Sequence, residues 1–173
     1  VVYEIDEAEG ATFIAMELVR GRPLAALLAG TPLQPVRALD LAIEIAEGLA
    51  EAGADVVLAA RNADRLAAAA DELRADHPDA TVVTVACDVT DEASVEAACA
   101  RAAASGPLRI VVANAGTGSA GPFHLTTLDD WNTVLSTNLT GAFLTMKHTV
   151  PYLAANGGGS IVAMSSIAAV ATH

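Results

Sequence analysis

Lysine is almost missing from this chain: Lys147 is the single one among 173 residues. Arginine does not make up the shortfall, for nine basic residues stand against twenty-one acidic ones, a formal net charge of −12. A surface of that sign repels phosphate backbones and anionic headgroups, which excludes nucleic acid and anionic membranes as partners. Cysteine is scarce as well. Cys87 and Cys99 are too few for a disulfide framework, fit a reducing compartment, and are expected to fill core space. No apolar run approaches the ~20 residues a bilayer-spanning helix needs, and the first residues carry acids where a secretory signal would carry bases. No membrane association and a cytoplasmic location are expected. The chain opens on Val1, so a natural start upstream is also expected.

Charge is thin (17%) while hydrophobic residues make up 53%, a balance that favours a folded core over disorder. The length suits one domain. His124 and His148 have no metal-ligand partners at usable spacing, so no metal site is expected. Trp131 and Phe143 are expected in the core.

Two patterns follow one another along the chain. Val1–Ile5 and Thr12–Val19 read as strands joined by a tight acidic turn, Asp6–Gly10. Leu24–Leu28 reads as a short helix ending at Gly30. A longer helix then starts at Pro35, with Val36, Leu39, Ile43, Ala46, Leu49 and Ala50 on one face. From residue 45 onward strands and helices alternate. Strands are expected over Asp55–Ala60, Ala80–Cys87, Leu108–Ala113 and Ser160–Met164; helices over Ala63–Arg74, Asp91–Ala104 (capped by Thr90) and Leu128–Ala155. Alternating units of this kind imply a parallel sheet with helices on both faces. The strand ending in Asn114-Ala115-Gly116 matters most, because open α/β sheets bind ligands outside the carboxyl ends of their strands.

The first part, Thr12-Phe-Ile-Ala-Met-Glu-Leu-Val-Arg-Gly-Arg-Pro-Leu24 with the helix Ala38–Leu49, resembles the hinge region of bacterial Ser/Thr protein kinases. That resemblance implies Met16 as gatekeeper and Glu17–Val19 as an adenine-contacting hinge. It implies no kinase activity, because the Gly-rich loop, strand lysine, His-Arg-Asp loop and Asp-Phe-Gly are all missing.

The larger part resembles the short-chain dehydrogenase/reductase family. The motifs are Gly53-Ala-Asp-Val-Val-Leu-Ala-Ala-Arg-Asn62, Cys87-Asp-Val-Thr90, Ala113-Asn-Ala-Gly116, Asn138-Leu-Thr-Gly141 and Gly159-Ser-Ile-Val-Ala-Met-Ser-Ser166, in that order. The fold implied is an α/β, doubly wound, Rossmann-like parallel sheet, incomplete, with a kinase-like β-hairpin and helices at the N-terminus. Residues 1–44 form the kinase-hinge-like segment and residues 45–173 the truncated dinucleotide-binding domain. The activity implied is hydride transfer between NADP(H) and a small carbonyl or alcohol substrate, in a possible homo-oligomer.

The same resemblance implies roles for single residues. Arg61 stands where a ribose 2′-substituent lies and would pair with a 2′-phosphate, favouring NADP over NAD; a solvated surface arginine is the alternative. Asp88 would accept from the adenine amine, with Val89 beside it; capping the next helix is the alternative. Asn114, Ala115 and Gly116 would border the cofactor. Asn138, a poor helix former expected to face solvent, would anchor a water relay, and Ser166 would donate to the substrate carbonyl, unless it is a turn residue only.

Three departures stand beside these matches. The family's first strand and its Thr-Gly-x-x-x-Gly-x-Gly turn, which cradles the pyrophosphate, are missing. The chain ends seven residues after Ser166, before any Tyr-x-x-x-Lys pair, and Tyr152 is no substitute because Asn156 stands four residues on. The later strands are missing with it. An inactive fragment, or a non-catalytic fusion or nucleotide-binding module, is therefore weighed against an enzyme. The strand Phe13–Leu18 is expected to fill the empty slot between the Asp55 and Leu108 strands, with the Leu108–Ala113 strand central.

Overall fold

The computed structural model describes residues 2–8, 11–16, 35–118 and 122–165, with side-chain surroundings from residue 42 onward. Two compact units divide the chain, Val1–Leu33 and Gln34–His173.

In the first unit, β1 (Val2–Ala8) and β2 (Ala11–Met16) pair antiparallel, with Ile5 opposite Ile14 and Ala8 opposite Ala11. Asp6 and Glu7 thus belong to the ladder rather than to the connecting turn. The expectation that Phe13–Leu18 fills a slot in the dehydrogenase-like sheet is overturned, because β2 hydrogen-bonds to β1 and to no other described strand. Two adjacent strands satisfy each other's backbone groups at the cost of closing only a very short loop, which favours the local pairing. The hinge residues Glu17–Val19 and the Leu24–Leu28 segment lie outside the described residues.

The second unit opens with α1 (Pro35–Glu51) and runs through β3 (Val56–Ala60), α2 (Ala63–Asp76), β4 (Val82–Ala86), α3 (Glu92–Ser105) and β5 (Ile110–Ala113). A 3₁₀ turn at Phe123–Leu125 precedes one long helix, whose parts are α4 (Leu128–Leu135), a π-helical stretch (Ser136–Thr140) and α5 (Gly141–Ala155). β6 (Ser160–Ala163) follows. Asn62 starts α2 by accepting a hydrogen bond from the Arg65 amide. Its Leu66, Ala69, Ala70 and Leu73, spaced for one helical face, are buried. Asp91, not Thr90, caps α3, accepting from the Ala93 amide, and Val95, Ala98 and Cys99 form its inner face. Short polar side chains compete for this position, and the Thr90 hydroxyl is already committed to Asp88.

The parallel strands pair as expected, but in two separate sheets. β3 lies beside β4 with Val56 opposite Val82, and β5 lies beside β6 with Val111 opposite Ile161. β5 therefore has one described neighbour and is not the centre of a continuous sheet. Two buried clusters form, one against β3 and β4 and the other between the end of β4 and helices α3 and α5. One joins Ala46 and Ala50 of α1 to Val56, Ala70, Leu73 and Val82; the other joins Cys87, Val95, Ala98 and Cys99 to Leu144 of α5. Both cysteines fill core space as expected, and burial pushes both thiols up. Trp131 (48% exposed) and Phe143 (55%) do not join the core. They lie with Leu135 and Leu139 at four-residue spacing along the long helix, on a face turned to solvent.

Candidate functional site

The two parallel pairs finish level, which brings the sequence motifs to strand exits in couples. The Cys87 amide donates to Ala60 O at 3.0 Å, so Arg61 leaves β3 where Asp88 leaves β4. Likewise the Met164 amide donates to Ala113 O at 3.0 Å, so Asn114 and Ser165 leave β5 and β6 from one edge. Carboxyl ends of parallel strands are where a ligand can reach backbone that no neighbouring strand uses.

Asp88 sits in a tight turn. Its amide donates to Ser94 Oγ at 2.9 Å, and its Oδ1 accepts from the Thr90 amide (2.9 Å) and the Thr90 hydroxyl (2.7 Å). These two bonds from Thr90 hold the Asp88 carboxyl below its ordinary range, and the Arg61 guanidinium adds a smaller pull in the same direction. Asp88 is thus ionised at neutral pH and within electrostatic reach of Arg61. The described hydrogen bonds all use Oδ1, and Oδ2 is left as an acceptor. Arg61 itself is exposed.

Asn138 was expected to face solvent from a helix interior, and it is exposed. It lies in the π-helical stretch, where its Oδ1 accepts from the Thr117 amide and its Nδ2 donates to the Thr117 carbonyl, both at 2.8 Å. A π-turn widens the helix by one residue and re-aims its side chains, which is why such turns gather at functional sites. Here it turns a poor helix former into a two-pronged clamp on the loop after Gly116. A Cβ built on Gly116 would stand 3.6 Å from Asn138 Oδ1, so the clamp closes directly on the Asn114-Ala115-Gly116 segment. One turn further, a Cβ on Gly141 would meet Val89 Cγ2 at 2.8 Å. The same helix therefore touches the exits of β4 and β5. Deeper along α3 and α5, Glu92 accepts from Lys147 and from His148, whose side chain is only 16% exposed; these contacts hold the Glu92 carboxyl low.

Among the residues named from sequence, Arg61, Asp88 and Val89 thus gather at one exit, and Asn114, Ala115, Gly116 and Asn138 at the other. Ser166 lies outside the described residues. Thr117, Ser94 and Gly141 were missed. Gly141 stood inside a quoted motif, whereas nothing in a single sequence announces a π-turn or the partner of a loop amide.

Residues 40–173 match the model of the short chain dehydrogenase family, and the chain belongs to that family. It is 42% identical over 123 residues to the cis-4-hydroxycyclohexanecarboxylate dehydrogenase of Sinomonas cyclohexanicum, covering 69% of this chain and 47% of that one. It is 38% identical over 126 residues to the D-threitol dehydrogenase of Mycolicibacterium smegmatis, covering 72% and 48%. The crystal structure of L-sorbose reductase from Gluconobacter frateurii, complexed with NADPH and L-sorbose, superposes with a TM-score of 0.64 at 35% identity, covering 71% and 46%. A short-chain type dehydrogenase/reductase from Mycobacterium ulcerans gives 0.72 at 33% identity, covering 78% and 50%. The chain spans about half the length of the relatives it matches. No described helix is long and apolar enough to cross a membrane, and no cluster of three metal-ligating side chains occurs among the described residues.

Proposed function

We propose that this polypeptide carries the adenosine-binding half of an NADP(H)-dependent oxidoreductase acting on a small carbonyl or alcohol substrate. The observation that carries the reading is that Arg61 and Asp88 leave β3 and β4 side by side at level strand exits. The chemistry of this donor set fits the group. A guanidinium matches a 2′-phosphate, and a carboxylate with one unused oxygen matches an exocyclic amine. Val89 would flank the base, while Asn114, Ala115 and Gly116 would border the ribose side. When bound, NADP(H) supplies or accepts the hydride at the substrate carbon. Asn138 holds the β5 exit in place, and Ser166 would donate to the substrate oxygen. The 173-residue chain contains no Tyr-x-x-x-Lys to move the accompanying proton and no Gly-rich turn for the pyrophosphate.

Calorimetric titration with NADP and NAD, on wild type and Arg61→Ala, tests the reading. Loss of a charge-assisted contact worth about 1.5–3 kcal/mol should weaken NADP binding by roughly 10- to 150-fold and leave NAD nearly unchanged. Equal NADP affinity in the variant would mark Arg61 as a surface charge.

A second reading takes residues 1–44 as a separate, kinase-hinge-like part joined to a nucleotide-binding body. What favours it is the division between Leu33 and Gln34 together with a family match that begins at residue 40. A homo-oligomer belongs to the first reading, favoured by the exposed Trp131, Leu135, Leu139 and Phe143.

A further inference from the structure

We infer that Gly141 is a positioning residue for the nucleotide, setting where the Asp88–Val89 turn stands against the long helix; this deepens the proposed NADP reading and rests on it. A Cβ at Gly141 would approach Val89 Cγ2 at 2.8 Å, Val89 Cβ at 3.0 Å and the Val89 carbonyl oxygen at 3.3 Å. Three atoms of one residue, one of them backbone, block the space. Val89 is β-branched and stiff about χ1, so it cannot swing aside as a long side chain would. Relief requires moving the residue, and with it the turn in which the Thr90 amide and hydroxyl hold the Asp88 carboxylate. From the other side Ser94 Oγ accepts the Asp88 amide, so the turn is held between α3 and the start of α5.

The helix itself makes no demand for glycine here. Gly141 is followed by fourteen further residues of α5, and alanine is the better helix former. Only the approach of Val89 requires the missing side chain. Three residues earlier, Asn138 clamps Thr117 after the β5 exit. A single helical turn thereby fixes both loops to one rigid element, and Gly141 sets the spacing on the adenine side.

The test measures binding of adenosine 2′,5′-bisphosphate by calorimetry to wild type, Gly141→Ala, Val89→Ala and the double variant, with backbone amide spectra of each. Gly141→Ala should weaken binding about fivefold or more and shift the Asp88–Thr90 amides, while the Thr117 amide holds. Removing the Val89 methyl groups relieves the closest contact but leaves its Cβ and carbonyl oxygen in place, so the double variant should recover part of both, relative to Val89→Ala alone. Wild-type affinity in Gly141→Ala overturns the inference, and so does a loss of which the double variant recovers no part. Wild type that fails to bind the probe overturns the nucleotide reading instead. The amides then decide the positioning: shifted and partly restored sustains it, unmoved overturns it.

Discussion

Replacing Asn138 with alanine removes both bonds that tie the π-turn to Thr117. Each is worth a net of about 0.5–1.5 kcal/mol, and their exposure puts them at the low end, so the gross loss is roughly 1–2 kcal/mol. Alanine returns up to about 0.7 kcal/mol of helix propensity. The net is about 0.5–1.5 kcal/mol, a fall in Tm of roughly 1–6 °C for a chain of this size. A melting curve alone would not show where the loss arises. Amide hydrogen exchange does, because the Thr117 N–H is itself one of the two donors. Losing about 1 kcal/mol of local protection should speed exchange at Thr117 about fivefold, with the amides of β3 and β4 unaffected. Asn138→Asp is the informative companion. It keeps an acceptor for the Thr117 amide but sets a carboxylate against the Thr117 carbonyl, so protection at Thr117 should fall between the other two. Exchange at Thr117 unchanged in Asn138→Ala would refute the clamp.

Leu73, 1% exposed in the α1–β3–α2 cluster, should cost about 2–5 kcal/mol when cut to alanine, read as a shift of the denaturation midpoint at unchanged slope. Asp88 and Glu92 both titrate lower in the folded chain than unfolded, so their stabilisation is complete above the ordinary carboxylate values of about 4 and disappears as pH falls through the lowered folded values. Glu92→Gln should therefore be less stable than wild type at neutral pH and converge with it in acid; a gap that persists at low pH would point to packing instead. The 173-residue chain should not consume NADPH above background with ketones or aldehydes, since loss of the acid/base group typically costs about 10²–10⁴ in rate. Turnover abolished by Ser166→Ala would contradict this and direct attention to Tyr152 as the proton source.

The alternation of β-branched runs with alanine- and leucine-rich helices determined, from sequence alone, every described strand and α-helical segment from β3 to β6 to within a few residues, because period and capping chemistry act locally. The buried Ala46 and Ala50 of α1 and the core roles of Cys87 and Cys99 were legible for the same reason. So were Arg61, Asp88 and the Asn114–Gly116 segment as strand-exit residues, since a strand's end follows from where its apolar run stops. Pairing was not legible. Phe13–Met16 is as good a strand for a parallel slot as for a hairpin, and only its hydrogen bonds to β1 decide between them. The same holds for Trp131 and Phe143, apolar at helical spacing yet exposed, because burial depends on which element arrives to cover a face. Asn138 looked like a misfit in a helix. Tertiary structure made it a clamp by widening one turn and bringing Thr117, 21 residues away in the chain, within 2.8 Å. Gly141 meets Val89 only because α3 and α5 share a core around Leu144, a contact between segments some fifty residues apart that no local pattern encodes.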